Sequence, residues 1–166
     1  YILSYRKVLI FEMTSNNKIS EFNNFISQEI QEHIHSSEDL ILQKEKIIYI
    51  AEHLSNLFIN NQKLIICGNG GSAADAQHFS SELVGRFEKE RPGFPAFSLT
   101  TDTSALTAIG NDYGFDNIFS RQIESIGKEG DCLIVISTSG NSKNLINAVQ
   151  TAKNKKLFVI ALLGNK

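Results

Sequence analysis

Hydrophobic residues along the chain change their spacing once, and that change divides it. From Ile19 the apolar positions fall at Ile19, Phe22, Phe25, Ile26, Ile30 and Ile34, three or four apart, which predicts an amphipathic helix. Ser36-Ser37 followed by Glu38-Asp39 reads as a helix start. A second helix is therefore predicted through Leu40, Ile41, Ile47, Ile48, Ala51, Leu54, Leu57 and Phe58. Beyond Lys63 short continuous apolar runs replace the stripe. Leu64–Cys67, Ala96–Leu99, Cys132–Ile136 and Leu157–Leu163 read as buried strands. Helical stretches separate them at Ala73–Phe87, Thr103–Ile109, Phe115–Ile126 and around Leu145–Ala152. Strands of this kind spaced by helices predict an α/β fold, a doubly wound parallel sheet covered on both faces and preceded by two N-terminal helices. Such sheets bind ligands at the carboxyl ends of their strands.

The last apolar run stops at Gly164-Asn165-Lys166, whereas a parallel strand normally feeds a crossover helix. The C-terminal part of the domain is accordingly expected to be missing. At the other end, residues 1–12 precede the only methionine, Met13, and are expected to be an extra segment. The organisation expected is thus 1–12 extra, 13–62 helices and 63–166 sheet domain.

Composition narrows the function. The 166 residues are 42% hydrophobic and 20% charged with a formal net charge of -2, enough apolar material for one core. No Lys/Arg cluster makes the basic face of a nucleic-acid binder, and no apolar run approaches the length of a membrane span. Cys67 and Cys132 both fall on predicted core strands, so they are expected to be buried thiols in a reducing, cytoplasmic protein. Two sulfurs are too few for a thiolate zinc site.

Two strand ends carry candidate chemistry. Ser137-Thr138-Ser139-Gly140-Asn141-Ser142 places four hydroxyls just before a predicted helix, where backbone N–H groups and hydroxyls together suit a phosphate monoester. A single such loop is more often a polar turn with a Ser N-cap; four hydroxyls at the ligand edge favour phosphate. Gly68-Asn69-Gly70-Gly71-Ser72 lets a backbone approach a ligand closely, and Ser72 with Asp75 resembles a capping box. Its glycine spacing fits neither a dinucleotide fingerprint nor a P-loop. His78 and Glu82 lie four apart, on one face of the predicted helix, able to bind a divalent metal or move a proton beside a carbonyl. Taken alone such a pair is usually a surface contact. Arg86 continues that stripe, to neutralise an anion or to face solvent. Asn111 and Asp112 are expected in a Gly-bounded turn, as a helix stop or as partners for sugar hydroxyls.

Taken in order, CGNGGSAADAQHFSSEL at 67–83, RPGFPA at 91–96, TAIGNDYGF at 107–115, FSRQ at 119–122 and ISTSGNS at 136–142 resemble the sugar isomerase (SIS) domain family, of flavodoxin-like fold, and within it the phosphoheptose isomerases. The resemblance implies interconversion of sedoheptulose 7-phosphate and D-glycero-D-manno-heptose 7-phosphate, in heptose biosynthesis for lipopolysaccharide or capsule. It implies that Asn69, Gly70, Gly71, Ser72, Arg86, Asn111 and Asp112 meet substrate, and that Ser137, Thr138, Ser139 and Ser142 hold its phosphate. His78 and Glu82 would ligate Zn2+, with Glu82 also contacting substrate and moving the proton. A homo-oligomer, specifically a tetramer, is implied too, with no nucleic-acid or membrane partner.

The family completes its site with a Gln and a His on a C-terminal helix. No histidine follows His78, and Gln150 lies in the wrong segment. The 166-residue chain is therefore expected to be inactive or feeble. Two other functions use the same domain: a non-catalytic partner of the replication initiator DnaA, and a sugar-phosphate sensor. Glu82 and the glycine loop follow the enzyme's pattern rather than the initiator partner's, and a sensor needs neither His78 nor Glu82.

Overall fold

The computed structural model describes residues 16–164, with side chains from residue 19 onward. The expectations for residues 1–12 and Met13 lie outside that range. By internal contacts the chain forms two compact units, one up to Ile47 and one from Ile48.

In the first unit α1 runs unbroken over Asn16–Leu42, and its apolar stripe from Ile19 to Ile34 is exposed. The start predicted at Ser36-Ser37 does not occur. Ser36 donates its hydroxyl proton to the Glu32 carbonyl (2.9 Å) and Ser37 to that of His33 (3.0 Å). Hydroxyls bonded one turn back within a helix cannot cap the beginning of another. The break comes instead at Gln43, and α2 spans Lys44–Ile59.

The second unit is built on β1 (Leu64–Gly68), α3 (Gly71–Val84), β2 (Ala96–Ser98), α4 (Thr103–Tyr113), α5 (Ser120–Ile126), β3 (Cys132–Ser137), α6 (Lys143–Asn154) and β4 (Phe158–Leu163). All four strands are parallel, in the order β2-β1-β3-β4. The predicted doubly wound sheet is present. Its order reverses between β1 and β3, where Gly68 pairs with Ile136, so both strands release their loops at one level. That reversal opens the crevice where doubly wound sheets hold ligands.

Alternate residues of the central strands feed two cores. Ile65, Cys67, Leu133 and Val135 pack with Ile118, Phe119, Ile123, Leu145 and Ala148 on the α4–α6 face. Leu64, Ile66, Cys132 and Ile134 pack with Leu57 of α2 and Ala76 of α3 on the other. Both faces being apolar explains why the strands read as continuous runs. β4 is the edge strand beside β3, and Leu162 and Leu163 are exposed on it. Among the described residues no helix is long and apolar enough to cross a membrane.

Cys67 and Cys132 are buried free thiols on opposite faces of the sheet, which rules out a bond between them. Burial pushes the Cys67 thiol far up, and burial assisted by the neighbouring Asp131 charge pushes Cys132 up to about 12. The unfolded thiols ionise near about 8.5. Between that value and the raised folded values the unfolded chain holds fewer protons, so stability is full below about pH 8.5 and falls as pH rises toward 12. Urea midpoints should drop steadily from pH 8.5 to 10.5, and a thiol reagent at pH 8 should label neither cysteine until urea is added. Rapid labelling of the folded chain would contradict this burial.

Helix boundaries differ around residue 110. The stop predicted at Ile109 is overrun: α4 continues through Gly110 to Tyr113 and ends at Gly114, whose φ of +83° suits glycine. A mid-helix glycine costs only about 1 kcal/mol, which packing readily outweighs. The single helix predicted over Phe115–Ile126 is a 3-10 turn at Phe115–Asn117 followed by α5.

Candidate active site

Two loops face each other across the reversal point. After β1 the chain turns at Gly70, whose φ of +55° favours glycine, and enters α3 at Gly71. Nothing lies within 4 Å of where a Cβ at Gly70 or Gly71 would stand, so this stretch of backbone is open to a ligand. The predicted capping box does not form. α3 has no side-chain cap, and Ser72 is buried beneath its first turn, against Gly68. A Cβ at Gly68 would come within 2.5 Å of the Ser72 carbonyl oxygen, so glycine is required where strand and helix start meet. Close approach of this kind leaves no periodicity signal: Gly68 reads in sequence as part of the ligand loop, and its packing against Ser72 is seen only in the fold.

After β3, Ser137 Oγ accepts the Gly140 N–H (3.0 Å) and Ser139 Oγ accepts the Asn141 N–H (3.3 Å). Accepting leaves each hydroxyl its proton to donate, although Ser137 is itself buried. Ser142 is the N-cap of α6, but its side chain makes no capping bond. Thr138 and Ser139 are exposed, and Ser142 is half-buried. By contrast α4, away from the reversal point, is capped by Asp102, whose carboxylate accepts the Ala105 N–H at 2.9 Å. The two helices that begin at the crevice thus lack the side-chain cap that would occupy their first N–H groups. An anion can take that place.

A pair of amides joins the loops. Asn69 Nδ2 donates to Asn144 Oδ1 at 2.9 Å, and Asn144 Nδ2 donates back to Asn69 Oδ1 at 2.9 Å. Asn144, in the first turn of α6, is only 2% exposed. Sequence reading passed over Asn144, because one asparagine on a helix carries no signal until its partner is known.

His78 and Glu82 share one face of α3 as predicted, with His78 Nε2 3.6 Å from Glu82 Oε1. Glu82 is half-buried and His78 exposed. The helix nevertheless carries them away from the crevice. Eleven residues separate Gly71 from Glu82, about 16 Å of rise. The far end of α3 is fixed at the amino edge of the sheet: Phe94 N–H donates to the Leu83 carbonyl (2.9 Å), and Leu64 N–H to that of Pro95 (2.9 Å). Arg91 secures this end, donating to the carbonyls of Glu82 (2.8 Å) and Leu83 (2.9 Å) while lying over the Phe94 ring. Within one chain the glutamate and the hydroxyl loop therefore stand at opposite edges of the sheet.

Arg86 does not continue the α3 stripe. The helix ends at Val84 with Gly85 as C-cap, and Arg86 faces solvent with Nε 3.5 Å from Glu90 Oε2. Asn111 and Asp112 lie in the last turn of α4 rather than in a loop, both exposed, with Asn111 Nδ2 donating to Asp112 Oδ1 at 2.8 Å.

His78 and Glu82 fit two vertices of a zinc site. Tetrahedral ligands about 2.0–2.1 Å from the metal stand roughly 3.3 Å apart, close to the observed separation. Among the described residues no group of three or more His, Cys, Asp or Glu side chains could hold a metal ion. One chain's described residues supply half a tetrahedral set.

The comparisons agree with this architecture. The SIS domain family matches residues 23–164. The phosphoheptose isomerase of Laribacter hongkongensis is 58% identical over 118 residues, 71% of this chain and 60% of that protein. That of Sulfurimonas denitrificans is 54% identical over 138 residues, 83% of this chain and 69% of that protein. The solved structure of phosphoheptose isomerase GmhA from Neisseria gonorrhoeae superposes with a TM-score of 0.79 at 44% identity, over 87% of this chain and 76% of that one. A phosphoheptose isomerase structure from Francisella tularensis gives 0.81 at 39% identity, over 90% and 76%. This chain spans as little as 60% of the length of the curated relatives it matches. With its parallel sheet, its reversal point and its two small-residue loops, the chain belongs to the SIS domain family.

Proposed function

We propose that this chain is part of an aldose–ketose isomerase that interconverts sedoheptulose 7-phosphate and D-glycero-D-manno-heptose 7-phosphate, in heptose biosynthesis for lipopolysaccharide or capsule. The observation that supports the reading is the pair of uncapped helix starts at the reversal point, those of α3 and α6, with the hydroxyls of Ser137, Thr138, Ser139 and Ser142 in the stretch leading into α6. A phosphate monoester bound there would lie beside the open backbone of Asn69, Gly70 and Gly71. Asn111 and Asp112 are exposed amide and carboxylate partners for the sugar hydroxyls.

In the reaction the Glu82 carboxylate removes a proton from the carbon beside the carbonyl. The carbonyl oxygen gains a proton, forming an enediol. Glu82 returns its proton to the former carbonyl carbon as the neighbouring hydroxyl oxygen gives one up, completing the aldose. One carboxylate can serve both carbons, because they are adjacent. His78 and Glu82 would hold Zn2+ with ligands from outside the described residues, and its contribution when bound is Lewis-acid polarisation of a substrate oxygen.

Because α3 takes Glu82 to the opposite edge of the sheet, the reading requires a second copy to bring its own α3 to the hydroxyl loop. A homo-oligomer, a tetramer in this proposal, also gives the exposed apolar stripe of α1 a place to be buried. The buried free thiols suit a cytoplasmic enzyme.

Titration with sedoheptulose 7-phosphate, with unphosphorylated sedoheptulose as control, tests the anchor. Replacing Ser139 by Ala should weaken binding of the phosphate ester about tenfold, the order expected for a hydrogen bond to a charged group. Affinity unchanged by the substitution, or equal for the two sugars, would remove the phosphate site.

A further inference from the structure

At the crevice, buried Asn144 is a group to which neither phosphate binding nor proton transfer assigns a role. We infer that Asn144 is a positioning residue: through its paired bonds with Asn69 it fixes the spacing between the glycine loop and the start of α6, so that both loops engage the same phosphate ester. The inference rests on the phosphate reading above and deepens it.

Asn144 stands two residues past the N-cap of α6, where an amide could bond locally to backbone. It turns across to β1's loop instead, and both bonds of the pair measure 2.9 Å. The donors and acceptors are matched one to one, so each side chain holds the other in place. Its members belong to segments 75 residues apart in sequence, which leave β1 and β3 at the same level of the sheet. Gly70 and Gly71 follow Asn69 directly, and Ser142 lies two residues before Asn144. A shift in either loop would change the gap into which the phosphate must fit. Asn144 need not touch substrate for this purpose, and its burial keeps it from being an obvious direct ligand.

The test uses Asn144→Asp, which keeps the shape and replaces the donor. As a carboxylate the new side chain still accepts from Asn69 Nδ2, but it faces Asn69 Oδ1 with a second acceptor. Protonation restores an O–H donor and hence the pair. Dissociation constants for sedoheptulose 7-phosphate are measured for the variant and the parental chain at each pH from 8 to 5. Taking the ratio at each pH cancels the titration of the phosphate itself. At pH 8 the variant should bind on the order of tenfold more weakly or worse, the scale expected when a buried hydrogen bond is lost. The ratio should fall toward one as the pH reaches 5, with the melting temperature recorded throughout.

Asn144→Ala should be weak at every pH. A ratio near one at pH 8, or a deficit in Asn144→Asp that acid leaves unchanged, overturns the inference. So does a variant whose affinity tracks its melting temperature alone, since that marks a purely structural pair. If the parental chain itself fails to bind the sugar phosphate, the phosphate reading falls and this inference with it. The parental titration distinguishes that failure from the variant's.

Discussion

In the longer isomerase of which this chain is proposed to be part, Glu82→Gln should lower turnover by about 10²–10⁴-fold while leaving the affinity for sugar phosphate within a few-fold of the parent, because a carboxamide keeps the shape but cannot accept the proton. The contrast between turnover and affinity follows from the fold. Phosphate is assigned to the loop after β3, whereas Glu82 sits eleven residues into α3, anchored at the other edge of the sheet by Arg91 and Phe94. If the two halves come from different copies, they can also be separated genetically. Glu82→Gln chains mixed with Ser139→Ala chains should form hybrid sites, some with both groups intact. At sugar-phosphate concentrations well below saturation, where sites carrying Ser139→Ala work about a tenth as fast, random pairing in a two-fold assembly would restore about a quarter of the parental rate. Turnover retained by Glu82→Gln alone would refute the assigned base. Failure of the mixture to recover, with exchange of subunits verified, would refute the shared site.

Asp131→Ala should cost about 3–5 kcal/mol of folding stability, a large share of the roughly 5–15 kcal/mol typical of a domain. Asp131 is 3% exposed just before β3. Its Oδ1 accepts the Lys63 backbone N–H (3.0 Å), and Oδ2 accepts both the Lys63 ammonium (2.5 Å) and the Lys128 N–H (2.8 Å). Its own carbonyl accepts the Phe158 N–H at 2.9 Å. One residue therefore ties together the starts of β1, β3 and β4. Removing the carboxylate leaves a largely buried ammonium and two inward N–H groups without it. Asp131→Asn keeps some of these bonds and should cost less, about 1–3 kcal/mol. Urea denaturation of both variants measures the order, and a loss below about 1 kcal/mol for the alanine variant would contradict the anchor. Because Asp131 lies at the amino edge, away from the crevice, sugar-phosphate affinity of the remaining folded protein should be unchanged.

The central strands were legible because a strand buried on both faces is apolar at every position, and Leu64–Cys67 and Cys132–Ile136 each lie within one residue of the observed bounds. The hydroxyl loop was legible for a related reason: four small polar residues interrupting such a pattern at a strand end have few structural explanations. Helix boundaries were less so. Ser36 and Ser37 resemble a cap in sequence, yet their hydroxyls bond to carbonyls one turn back, and the choice between these uses depends on backbone already being helical on both sides. Gly110 likewise looks like a stop, but the helix passes through it to Gly114.

The order of residues along this chain was enough to settle its fold class, the location of its two small-residue loops, and the pairing of His78 with Glu82 on one helical face, since all of these depend on periodicity and near neighbours. The adjacency of Asn69 to Asn144, the clasp of Asp131 on Lys63, and the distance that α3 puts between Glu82 and the hydroxyl loop emerge only in three dimensions. Each depends on which strands lie side by side and which way a helix runs over them, and that is decided by how the whole sheet buries its two faces at once.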